Sequence, residues 1–70
     1  MVEVFKTNVQ QREQAEQVVS ILYGRFAFYK INFDLEDCDK ILRIEGEQIC
    51  VQTITEILGT HGLQCEVLAD

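Results

Sequence analysis

The sequence predicts an α+β sandwich, a four-stranded antiparallel sheet with two helices on one face, in the order β-α-β-β-α-β. Three observations carry this expectation. Two stretches repeat apolar residues at helical spacing: Ala15, Val18, Val19 and Leu22 in one, and Cys50, Val51, Ile54, Ile57 and Leu58 in the other. Strand-like runs rich in aromatic and β-branched residues flank them. Two of those runs are separated only by the acidic segment from Leu35 to Asp39, a turn so short that the strands must form an antiparallel hairpin.

In chain order, residues 2–6 suit a short strand, with Val2 and Val4 assigned to the core side. Thr7 and Asn8 follow as helix-capping residues, and Gln11 stands three beyond Asn8 in the spacing of a capping box. Gly24 is placed to end the first helix. Residues 26–34 read as the second strand, with Ile31 and Phe33 on one face and Phe26, Phe28 and Lys30 on the other. Residues 40–45 form the third, with Leu42 and Ile44 inward and Ile41 and Arg43 outward. Gly46 breaks that strand, residues 47–60 form the second helix, and the Gly59-Thr60-His61-Gly62 run stops it. Residues 63–68 form a last strand, alternating Leu63, Cys65 and Val67.

Each helix has one apolar stripe, so both cover the same sheet face. Right-handed crossovers then place the first and third strands at the centre. The whole, over residues 1–70, is one ferredoxin-like domain. The expected core is Val2, Val4, Ala15, Val18, Leu22, Ile31, Phe33, Leu42, Ile44, Ile54, Leu58, Leu63 and Val67.

Twelve carboxylates against six Lys and Arg give a formal net charge of -6, which disfavours nucleic acid and anionic membranes as partners. No stretch reaches the length of a membrane span. The start, Met1-Val2-Glu3-Val4, lacks the pattern of a signal peptide, and three widely spaced cysteines read as reduced thiols in the cytoplasm.

In this register the chain resembles a heavy-metal-associated domain, the family of small copper chaperones. The resemblance rests on Val18 and Leu22, on Ile31-Asn32-Phe33-Asp34-Leu35, on Leu42, Ile44 and Gly46, and on Ile54, Leu58, Gly62-Leu63 and Cys65-Glu66-Val67. It implies a metal loop of the form Met-x-Cys-x-x-Cys between the first strand and first helix. Val9, Gln11 and Gln14 occupy those three positions, and glutamine cannot supply a thiolate for Cu(I). The resemblance therefore implies the fold without the metal centre or a cofactor.

Other candidate sites are few. His61, Cys65 and Cys50 make a candidate soft-metal group, weighed against a helix-terminal histidine and two cysteines packed as small hydrophobes. The acidic turn has Asp39 where a calcium loop needs glycine, so it reads as a solvated turn. Cys38 in that turn is expected to react first with a thiol reagent, Cys50 and Cys65 lying on apolar faces.

No catalytic constellation stands out, so the sequence points to a non-enzymatic interaction or adaptor domain. Phe5, Phe28, Ile41 and Arg43 are its candidate interface, on the sheet face that the helices leave open. A protein partner is expected there, including a second copy of the chain. The alternative is a small-ligand or metal-binding module near His61 and Cys65.

Overall fold

Val2–Thr7 forms β1, Arg12–Arg25 α1, Lys30–Asp34 β2, Ile41–Glu45 β3, Val51–Thr60 α2 and Cys65–Val67 β4 in a computed structural model that describes residues 1–36 and 38–68. The strands make one antiparallel sheet in the order β2-β3-β1-β4. This is the expected ferredoxin-like arrangement, with β1 and β3 at the centre and both helices on one face. Ala15, Val18 and Leu22 from α1 and Ile54, Ile57 and Leu58 from α2 are buried with Phe5, Leu42, Ile44 and Ile31 of the sheet.

The register of β1 differs from expectation by one residue. Phe5 pairs with Leu42, which pairs with Phe33, so these three share the helix-covered face. Phe5 is 0% exposed, whereas Val2 is 43% exposed and Val4 lies on the open face opposite Arg43. The alternation of β1 allows either face inward, since Glu3-Phe5-Thr7 contains one large apolar side chain and Val2-Val4-Lys6 contains two small ones. Burying the phenyl ring wins because both polar members of its row are accommodated. Thr7 donates its hydroxyl to the Lys40 carbonyl at 2.6 Å and accepts from the Val9 amide at 3.3 Å. Glu3 is only half-buried, opposite Ile44. Val67, also expected in the core, is 40% exposed because β4 is a three-residue edge strand.

Both helices begin later than their sequence signals suggest. Asn8 does not cap α1. Its side-chain Oδ1 accepts from the Gln64 amide at 2.9 Å, and its own amide donates to the Gln64 carbonyl at 3.4 Å, tying the β1–α1 loop to the chain entering β4. Val9 is pulled into the core, and the helix starts at Arg12. Helix α1 runs through Gly24 to Arg25. Residues 26–29 then turn instead of extending, with the Phe26 and Tyr29 rings stacked at a centroid distance of 4.8 Å. The Tyr29 hydroxyl donates to the Gln48 carbonyl, which holds residues 47–50 off the helix axis until α2 begins at Val51.

The end of α2 follows its sequence signal closely. Leu63 donates its amide to the Leu58 carbonyl and Gly62 to that of Gly59, both at 3.0 Å, with Gly62 at φ +73°. This is a Schellman motif, and Gly62 takes the left-handed conformation that it requires. Leu63 and Leu58, both buried, bracket it.

Candidate functional site

The open sheet face carries three cross-strand rows. Lys30, Glu45 and Val2 form the first; Asn32, Arg43 and Val4 the second; Asp34, Ile41, Lys6 and Glu66 the third. Leu68 joins the second row, its amide donating to the Val4 carbonyl at 2.8 Å. The apolar residues here are therefore Val2, Val4, Ile41 and Leu68. Phe5, assigned to this face by the sequence, belongs to the core instead, for the register reason given above. Ile41 is half-buried and Arg43 exposed on the open face, as expected.

Phe28 is not part of β2 but lies in the turn before it, 97% exposed. It borders a hollow of about 690 Å3 at the corner of the sheet, shared with Met1, Tyr29, Lys30, Glu45 and residues 46–48. The aromatic residue therefore flanks the open face instead of standing within it. The face has one further property that the linear sequence conceals. Its charged residues are Lys6, Lys30 and Arg43 against Asp34, Glu45 and Glu66, all exposed, so its formal charge is zero in a chain of net -6.

His61, Cys65 and Cys50 do not converge. Cys50 immediately precedes α2 and His61 immediately follows it, so the length of a ten-residue helix, about 15 Å, separates them. No group of three or more His, Cys, Asp or Glu suited to a metal ion occurs among the described residues. At the β1–α1 loop, Val9 is buried, Gln11 is exposed, and Gln14 accepts from the Gln10 amide at 3.4 Å. Gln11 and Gln14, with Asn8, Gln10, Glu13 and Gln17, line a shallow polar hollow from which Val9 is absent.

The three thiols differ sharply in environment. Cys65 pairs with Thr7 on the covered face, and burial pushes its pKa up to about 11, partly offset by the Thr55 side chain. Cys50 is exposed, contrary to its assignment to an apolar face, because α2 starts four residues late and leaves it at the N-cap. The Thr53 hydroxyl donates to its Sγ at 3.2 Å. That bond, with the Thr53 and Gln52 amides of the first turn, holds the thiol below its ordinary value. Cys38 is exposed in the hairpin turn, whose residue Asp37 lies outside the described residues. The expected labelling order is therefore Cys50 first, Cys38 next and Cys65 last. The lead of Cys50 should widen as pH falls from 9 toward 7, because a lowered pKa preserves more thiolate there. Site-resolved mass spectrometry after brief iodoacetamide exposure measures the order, and rapid labelling of Cys65 in the folded protein would contradict it.

One contact had no counterpart in the sequence reading. Tyr23 on α1 accepts from the Ile31 amide at 3.0 Å and donates to the Ile31 carbonyl at 3.5 Å. Its hydroxyl thus covers the outer edge of β2 at one residue. A tyrosine one position past a helical apolar stripe is the only sequence trace of it.

No described helix is long and apolar enough to cross a membrane. Compared with family models, curated proteins and solved structures, the chain matches none of them.

Proposed function

We propose that this chain is a non-enzymatic protein-interaction domain, similar in pattern to heavy-metal-associated domains but without their metal site, and that it associates with a second copy through the open sheet face and the adjoining Phe28 corner. The observation that carries this reading is Phe28, 97% exposed on a turn beside an uncovered sheet. A phenyl ring left in water forgoes roughly 2–3 kcal/mol that burial would provide. The neutral charge balance of the face supports a second copy as occupant. Two chains of net -6 repel at most orientations, and this face brings them together without juxtaposing excess carboxylates.

The magnitude fits a weak association. Hiding roughly 150 Å2 of apolar surface on each chain, about 300 Å2 in all, contributes on the order of 7 kcal/mol, against association costs of about 4–15 kcal/mol. Phe28→Glu should shift the light-scattering mass of the protein at micromolar concentration toward the 8.1 kDa of one chain, with its circular dichroism unchanged. Native mass spectrometry of the unmodified protein gives the subunit count directly. A monomer in that measurement ends the self-association reading without any variant.

A further inference from the structure

The outer edge of β2 faces a groove, and the backbone there is half covered. Tyr23 occupies the outward N–H and C=O of Ile31. In an antiparallel ladder outward-pointing residues recur every second position, so Phe33 also directs its N–H and C=O away from β3. Two hydrogen bonds elsewhere in the sheet agree with this phase: Thr7 N–H to the Asp39 carbonyl and Leu68 N–H to the Val4 carbonyl. Among the described residues, no side chain covers Phe33 as Tyr23 covers Ile31. Beside it lies a groove of about 460 Å3 between α1 and the end of β2. Ala15, Val19, Phe33 and Leu35 give it an apolar floor. Glu16 and Glu36, both exposed, stand on its rim against the single guanidinium of Arg12.

We propose that this groove binds an extended basic segment of a partner protein, which adds a short strand to β2 at Phe33. The Phe33 backbone pair supplies main-chain hydrogen bonds, the apolar floor takes one side chain, and the cationic side chains flanking it turn toward Asp34 within the field of the Glu16 and Glu36 carboxylates. Tyr23 limits the added strand to the C-terminal half of β2, which sets a short motif in place of a long zipper. A second copy of this chain is the poorer occupant, because a β2–β2 pairing brings two acidic rims together and meets Tyr23 on both sides. The groove shares no lining residue with the Phe28 corner, so this proposal stands apart from self-association.

The test uses 15N-labelled protein and a synthetic octapeptide of alternating lysine and valine, with an alternating glutamate-valine peptide as control. The lysine peptide should saturate with an apparent Kd below about 1 mM and slow hydrogen exchange of the Phe33 amide by at least about tenfold. Glu16→Lys, at an exposed helical position, should weaken that affinity by about tenfold while leaving the fold intact. Binding without protection of Phe33, equal binding of the glutamate peptide, or an unchanged affinity in Glu16→Lys would each overturn the proposal.

Discussion

Phe5→Ala is expected to cost about 3–5 kcal/mol of folding stability, the range for deleting a fully buried aromatic ring. The ring is 0% exposed at the centre of the covered face, opposite Leu42 on β3 and Val67 on β4. It is among the largest fully buried side chains, together with Leu22, Leu42, Ile44, Ile54 and Leu58. A core of this size supplies a net stability of only about 3–5 kcal/mol, so the variant should be largely unfolded at room temperature. Val4→Ala, one residue away on the open face, provides the contrast. It removes two methyl groups from a half-buried site and should cost less than about 1 kcal/mol. Circular dichroism without denaturant reads the loss at Phe5 as missing folded signal, and urea unfolding reads the small loss at Val4. Equal losses, or a larger loss at Val4, would mean that the β1 register is the reverse of the one described.

Gly46→Ala should destabilise by about 1–3 kcal/mol, the usual consequence of forcing a side chain into occupied space. A Cβ at Gly46 would stand 2.6 Å from Tyr29 Cδ1 and 3.0 Å from Cε1. Moving the ring aside toward the neighbouring hollow gives up two contacts that fix it. One face is stacked on Phe26 at an interplanar angle of 16°, and its hydroxyl is bonded to the Gln48 carbonyl. Thermal unfolding should show the loss as a drop of about 4–8 °C per kcal/mol for a domain this size. A double-mutant cycle makes the cause specific: with Tyr29 already changed to Ala, the further cost of Gly46→Ala should shrink to a few tenths of a kcal/mol. An undiminished cost in that background would assign the effect to the backbone at Gly46 instead of the tyrosine ring.

The parts of the fold legible in the sequence are those whose causes are local. The apolar stripe of α2 from Val51 onward and the Gly59–Gly62 stop depend on residues within two turns of one another, and both stand where the spacing puts them, Cys50 excepted. The hairpin and the central placement of β1 and β3 follow from a short connection and from chirality. The β1 register was not legible because its two alternations are nearly balanced within the strand. What decides between them is Leu42 and the Lys40 carbonyl, both distant in sequence. Residues 26–29 show the same limit. Their aromatic content matches a strand, yet the Phe26–Tyr29 stack and the Gln48 carbonyl fold them into a turn. The candidate interface inherits both effects: Ile41 and Arg43 were placed from a clean local alternation, whereas Phe5 rested on the ambiguous one. The groove by Phe33 was invisible because it needs α1 and β2 side by side.

The Leu68–Val4 pairing closes the longest circuit among the described residues, joining positions 64 apart in the chain, and the Asn8–Gln64 pairing beside it spans 56. The hairpin pair Asp34 and Ile41 spans only seven positions. On a logarithmic loop-closure law, the longer circuit costs about 2 kcal/mol more in chain entropy than the shorter one. The strand that it brings home, β4, has three residues, so the most expensive closure is matched to the shortest ladder. On this scale the β2–β3 hairpin needs the least searching to close and β4, the clasp at the other end of the sheet, needs the most. Unfastening it leaves the β2-β3-β1 part of the sheet intact but strips the far side of β1, where the Val4 carbonyl loses its bond to Leu68. A central strand then becomes an edge, its row of outward N–H and C=O groups left without the ladder that β4 supplies.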